Sequence, residues 1–233
     1  MTTRTVVTWL WAGNREYLPE HVNVLAAMFR RHLTLPHRFV CITDIKAGFE
    51  EGVEVMPIPA SAQKLAAFRT PEGARFPSCY RRLWMFSDEA KCLGKRVLMT
   101  DLDVLLTRNV DHLFAPRAKF VGWQPKASWG GRERIGGGLY LLTPGAHPEV
   151  YEDFQGMASI VQARAAGYRG SDQAWMSYML FGKVKLWPES AGIYSIRDLK
   201  DGQLPDDACL IQFNGTGKPW HGKPYWTREH WKK

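Results

Sequence analysis

The sequence predicts an α/β fold: a mostly parallel central sheet flanked by helices. Three observations lead there. Short β-branched and aromatic runs alternate with an amphipathic stretch over residues 1–60, which is the pattern of strand–helix–strand units. A later apolar run, from Arg96 to Leu106, contains Asp101-Leu102-Asp103. These acids stand where a central strand stops, and open α/β sheets collect ligands at that edge. The chain has 233 residues, 45% hydrophobic and 23% charged, which suits one core and one domain over 1–233.

Taken in order, the first strand is Arg4–Leu10. Helix one runs from Pro19 to His32. Proline suits a first helical turn, and Val22, Ala26, Phe29 and Leu33 form one apolar face. Strands follow at Arg38–Thr43 and Val53–Ile58, the second limited by Pro57 and Pro59. Residues 60–77 read as loop. A helix capped by Ser78 runs to Leu93 with Leu83, Phe86, Ala90 and Leu93 inward, and Gly94 ends it. After the strand leading to Asp101, the chain stays apolar to Leu106. Asn109–Phe114 reads as a turn and short helix, Lys119–Trp123 as a strand, 124–136 as a Gly-, Arg- and Trp-rich loop, and Gly137–Thr143 as a strand. Helices are expected over Pro148–Ala165 and Ser171–Phe181, and strands at Val184–Trp187 and Cys209–Phe213. The basic, Trp-rich tail Asn214–Lys233 is expected to pack over the site, because buried tryptophans need partners.

The net charge of +8 suggests an anionic partner or, equally, an excess of Lys and Arg that merely keeps the protein in solution. The excess is spread, with concentrations at Arg81-Arg82, Arg132–Arg134 and the tail. Cys41, Cys79, Cys92 and Cys209 are scattered, without a Cys-x-x-Cys pair, which argues against zinc and for reduced thiols. No apolar run reaches the roughly 20 residues of a membrane span, and residues 1–4 lack a secretory leader's pattern, so a cytoplasmic protein is expected.

Asp101 and Asp103 carry the chemistry. Residues two apart in an extended segment share a side, and buried carboxylates need a cation. A hard divalent ion gripping a diphosphate fits both conditions. Arg82 can face a cleft while Leu83 faces the core, and its guanidinium suits a phosphate or a sugar hydroxyl. Gly136 and Gly137 open a strand and permit close backbone approach. Asp172 and Gln173 begin a helix and either cap it or project into the cleft. Gly215 belongs to a glycine-rich turn able to form an anion nest, with Lys218 within reach of a phosphate.

In this order, Tyr-x-Arg-Leu, Asp-x-Asp, a small-residue strand mouth, Asp-Gln and Gly-x-x-Lys-Pro-Trp resemble the GT-A glycosyltransferases of the glycogenin and lipopolysaccharide galactosyltransferase type (family 8). The stretches 20–28, 77–83, 170–175 and 226–231 are similar to small glycosyltransferase-like proteins of phages and bacteria. The resemblance implies a GT-A domain, a UDP-sugar donor and Mn²⁺ or Mg²⁺ held by Asp101 and Asp103. It implies that Tyr17 stacks the uracil and that Arg82 contacts the donor. By the same likeness Asp172 binds donor-sugar hydroxyls, Gln173 lies near the anomeric carbon and Lys218 neutralises the leaving diphosphate. Two departures stand out. The family's third metal ligand is a histidine, and Gln212 and Asn214 occupy the matching positions, with His221 as a substitute from the tail. Gly136 stands where an asparagine often meets the donor.

By the same likeness the expected reaction is hexose transfer to a hydroxyl with retention; no carboxylate is placed as an obvious base or nucleophile, and inversion stays open as the alternative. The charge and the phage-type likeness suggest a polyanionic acceptor such as DNA with 5-hydroxymethylpyrimidines; a cell-surface glycan or lipid-linked sugar is the rival. A metal-dependent nucleotidyltransferase or phosphatase, or a non-catalytic nucleotide-sugar or DNA-binding module, are the readings from other classes.

Overall fold

A computed structural model describes residues 4–13, 16–69, 79–126, 134–215 and 217–233. Residues 1–3, 14, 15, 70–78, 127–133 and 216, among them the expected cap Ser78 and Arg132, fall outside them.

The first strand, β1 (Arg4–Leu10), leads into helix α1 (Pro19–His32) and then β2 (His37–Thr43) and β3 (Val53–Pro57). Pro19 sits in the first turn of α1, and His21 accepts the Leu18 backbone N–H through Nδ1 at 3.1 Å, so a donor at the helix entrance is satisfied. Arg30, Arg31 and His32 occupy its last turn, where positive charge opposes the helix dipole. Next come β4 (Arg96–Thr100), β5 (Val104–Leu106), β6 (Phe120–Gly122) and β7 (Leu139–Leu142), then β8 (Lys185–Leu186), β9 (Ile193–Ser195) and β10 (Leu210–Gln212).

Among the described residues, seven strands form one sheet in the order β3-β2-β1-β4-β7-β6-β8. Four of its pairings are parallel, and β7 runs antiparallel to both neighbours. A smaller sheet joins β5, β10 and β9. Residues in the large sheet alternate between two apolar cores: Val6 and Leu98 pack with α1 and the small sheet, Val7 and Met99 with the segment 79–93 and the helix that follows Ser171. The period-two alternation of a strand supplies both faces.

Several expectations shift. Residues 60–64 form a short helix, α2 (Ala60–Lys64), where loop was expected. The expected helix to Leu93 is two 3₁₀ segments, Cys79–Phe86 and Asp88–Leu93, parted by Ser87 in extended conformation. Every side chain from Tyr80 to Phe86 is buried, so there is no polar face to stabilise an α-helix, and the three-residue spacing of Tyr80, Leu83 and Phe86 matches a 3₁₀ turn. The expected helix over 148–165 divides into α3 (Glu149–Glu152) and α4 (Met157–Ala165). Gly156 adopts φ +63° between them, and a Cβ there would collide with Phe68. The next helix, α5 (Asp172–Leu180), stands as expected. No strand was expected at β9.

The tail crosses α1. The Trp220 ring stacks on His21 at 3.9 Å, Trp226 donates to the Gly202 carbonyl at 2.7 Å, and Arg31 donates to the Lys232 carbonyl at 2.7 Å. It ends in the short helix α6 (Thr227–His230). No helix among the described residues is long and apolar enough to cross a membrane.

Candidate active site

β1 and β4 are parallel neighbours whose helical connections diverge, and their carboxyl ends open a crevice. Tyr17 follows β1 and Asp101 follows β4. Asp101 donates its backbone N–H to Gly138 O at 2.9 Å, which sets the carboxylate against the mouth of β7. The chain then bends through Leu102 and Asp103 and enters the small sheet at Val104. The aspartates are thus in a bend rather than an extended strand, yet both line one cavity.

Three carboxylates and two cations interlock there. Arg82 pairs with Asp101 Oδ1 through Nη1 and grips Asp172 with Nε and Nη2 at 2.7 and 2.9 Å. The forked geometry fixes the guanidinium plane. Ser171 adds a hydrogen bond to Asp172 Oδ1 at 2.9 Å. Lys218 Nζ reaches Asp103 Oδ2 and the Tyr17 hydroxyl, both at 2.6 Å, and that hydroxyl donates to the same carboxylate oxygen at 2.9 Å. Burial first, then the Asp103 charge, pushes the Tyr17 pKa up, so the phenol stays protonated and donating. Burial likewise raises the Asp101 pKa to about 6; Arg82 opposes this and the neighbouring aspartates reinforce it.

Two cavities meet at this cluster and share Asp101 and Gly215 as walls. The first, of about 310 Å³, is lined by Trp9, Trp11, Tyr17, Cys79, Arg82, Asp103 and Lys218. The second, of about 440 Å³, is lined by Gly136, Gly137, Gly138, Gln173, Gln212 and Asn214 together with four arginines and Trp123. The structure therefore gathers every residue singled out in the sequence except two. Asp172 is 4% exposed and lines neither cavity; both its oxygens are engaged by Arg82, so it positions that side chain. His221 is exposed, packs edge-on against Trp220 and lines neither cavity.

The glycine run has an internal cause. A Cβ on Gly136 would lie 2.6 Å from the Trp123 ring, one on Gly137 2.9 Å from Gln173 Cβ, and one on Gly138 2.5 Å from Asp101 Oδ2 and 2.6 Å from Gln212 Oε1. Gly137 N–H also donates to Gln173 Oε1 at 3.4 Å. Tyr17 presents its ring edge-on to Trp220 at 5.4 Å, with the Lys218 ammonium 5.0 Å from the ring centroid. What the sequence did not disclose is Trp9 and Trp11 on the first cavity's wall and Arg164, Arg169 and Arg197 on the second's; Arg134 was marked only as part of the basic cluster at 132–134.

The residues suit a hard divalent cation. Among the described residues no three His, Cys, Asp or Glu side chains form a metal cage, but amide oxygens complete the set. Asp101 Oδ2 and Gln212 Oε1 both border the space over Gly138. Gln212 Nε2 is buried without a partner among the described residues. Three carboxylates against two cations leave one negative charge over, and oxygen donors of this kind favour Mg²⁺ or Mn²⁺. Asn214 is less suited, since its Oδ1 already accepts from Ser195 Oγ at 2.6 Å.

No family model and no curated protein sequence matches the chain. Solved structures do. The galactosyltransferase LgtC, in complex with donor and acceptor sugar analogues, superposes with a TM-score of 0.63 at 14% identity, covering 94% of this chain and 90% of LgtC. An active-site glutamine-to-glutamate mutant of LgtC gives 0.63 at 12% identity, covering 97% and 93%. The chain has the GT-A fold. A GT-A sheet places its parallel strand ends at the crevice described above, and the two cavities lie there.

Proposed function

We propose that the chain is a metal-dependent glycosyltransferase that moves a hexose from a nucleotide-diphosphate sugar, a UDP-sugar, to a hydroxyl acceptor with retention. One observation carries this reading: Arg82, Asp103 and Lys218 line the first cavity beside Asp101, which the second cavity shares. The first cavity offers aromatic rings for a base. The second offers Gln173 and amide groups for sugar hydroxyls. The overall likeness to LgtC, a galactosyltransferase with an active-site glutamine, supports the same reading.

Asp101, Asp103 and Gln212 would hold Mn²⁺ or Mg²⁺. The ion neutralises diphosphate charge when bound. The protein's own steps follow from the geometry. Lys218, on the first cavity's wall, would balance the negative charge that grows on the diphosphate as the glycosidic C–O bond breaks. Tyr17 keeps its proton and holds Asp103 in place. Asp172 locks the Arg82 fork, which then meets the donor without reorganising. Gln173, on the wall of the second cavity, would face the anomeric carbon, where a neutral amide stabilises positive character without itself forming a stable bond. Asp101, Asp103 and Asp172 each carry a cationic partner, so none is a free nucleophile. This supports front-face attack by the acceptor hydroxyl, whose proton passes to the departing diphosphate.

A donor screen with Mn²⁺, read as released nucleoside diphosphate, tests the reading. Asp103→Asn is expected to reduce turnover by about 10²-fold or more, the scale of losing one charge-stabilising group, with UDP binding in Mn²⁺ weakened in parallel. Undiminished turnover in that variant would sink the metal assignment. Nucleoside triphosphate breakdown without sugar transfer would favour a nucleotidyltransferase or phosphatase instead.

A further inference from the structure

The second cavity carries a charge that hexose transfer to a neutral sugar does not require. Arg134, Arg164, Arg169 and Arg197 all line it, and among its described lining residues the one carboxylate is Asp101, which Arg82 already engages. The four come from different places in the chain. Arg134 lies just before β7, Arg164 in the last turn of α4, Arg169 in the turn beyond it and Arg197 after β9. Arg134 is only 8% exposed, and its Nε has no hydrogen-bond partner among the described residues. Burial, and then the Arg197 charge, lowers its pKa, which places the two guanidiniums close enough to repel. Arg197 also lies against Gly215 on the shared wall, where a Cβ would collide with Nη2.

A guanidinium donates five hydrogen bonds and accepts none. Burying one without a partner is costly, and gathering like charges around a cavity adds to that cost. A bound anion removes both penalties, and the planar fork fits phosphate and carboxylate oxygens. Neutral sugars are recognised through hydroxyls that both donate and accept, which arginines serve poorly.

Resting on the glycosyltransferase reading above, we propose that the acceptor carries a compact anionic group, a phosphate or a carboxylate, that these four arginines bind while its hydroxyl faces the donor beside Gln173. The cavity, of about 440 Å³, suits a sugar-sized acceptor. Arg134 lies too deep for the backbone of an intact duplex.

The test uses the full chain with Mn²⁺ and UDP present, so that the donor cavity reports independently. Glucose 6-phosphate, glucuronate and glucose serve as probes in titration calorimetry. The charged probes are expected to bind roughly tenfold or more tighter than glucose, the scale of charge-assisted hydrogen bonds. Glucose 6-phosphate against glucuronate separates phosphate from carboxylate. Arg164→Gln/Arg169→Gln is expected to remove most of that preference while UDP affinity stays as in the wild type. Arg134→Gln should do so more completely, and the double variant on the outer side answers the question even if this one fails to fold. Equal binding of charged and neutral probes, or a preference that survives the double variant, overturns the proposal while UDP binding leaves the donor reading standing. Absent UDP binding overturns the donor reading instead. Displacement of the charged probe by a short DNA duplex, lost in the same variants, overturns the small-acceptor proposal in favour of nucleic acid.

Discussion

Arg82 is the most constrained side chain of the site. It spans 90 residues of sequence to hold Asp172 and also pairs with Asp101. Arg82→Lys keeps the charge and loses the fork. Asp172, 4% exposed, would then have an oxygen short of a donor, at about 1–3 kcal/mol of stability. Donor turnover is expected to fall by about 10²-fold, because an ammonium cannot serve both aspartates in plane. Chemical denaturation and a nucleoside diphosphate release assay measure the two effects, and turnover at the wild-type level would remove Arg82 from the mechanism. The Asp101 carboxyl titrates near pH 6, above an ordinary aspartate. In the folded state the protonated form is therefore favoured. The group's contribution to stability grows as the pH falls from about 6 toward the ordinary value of 3.8, whereas cation binding, which needs the anion, is lost over the same window. Turnover is expected to decline below about pH 6, and saturating Mn²⁺ should move that decline to lower pH, since the ion competes with the proton. A pH–rate profile unaffected by Mn²⁺ concentration would count against Asp101 as a ligand.

At the scale of elements, the tail is what delivers Lys218. Its ammonium is buried against Asp103, two residues before Trp220 stacks on His21 at the start of α1. Such a stack contributes about 0.5–1.5 kcal/mol beyond area burial. Trp220→Ala is therefore expected to lower kcat by about tenfold, with a smaller change in the donor KM, because Lys218 acts as the bond breaks, and a KM rise with unchanged kcat would show that the tail does something other than place the lysine. How far the elements could be read in the sequence follows from their surroundings. α1 was legible because Val22, Ala26, Phe29 and Leu33 recur at helical spacing, and β1 and β4 because each is a short unbroken β-branched or apolar run, buried on both faces. The segment 79–86 was legible as helical but not as 3₁₀, because burial on all sides from Tyr80 to Phe86 removes the polar stripe that reveals the period. β9 is three residues long behind Gly192, too short for alternation to register.

The whole molecule decides the rest. Asp101, Asp103, Gln173 and Lys218 could be picked out because each belongs to a short local pattern, and the fold brings them to one crevice. Of the arginines of the second cavity, Arg164, Arg169 and Arg197 belong to no local pattern, and Arg134 showed only as part of the charge concentration at 132–134. Arg134 and Arg197 lie far apart in sequence and meet only once β7, α4 and β9 are assembled around the sheet. Net charge suggested an anionic partner without locating it. Asp172 shows the opposite limit: its position at a helix start was evident, but its partner, 90 residues upstream, was not. The two cavities also have Asp101 and Gly215 in common. Occupying one constrains atoms that face the other, so the two ligands are energetically coupled. Thermodynamic linkage then requires reciprocity: whatever factor the donor adds to acceptor affinity, the acceptor must return to the donor.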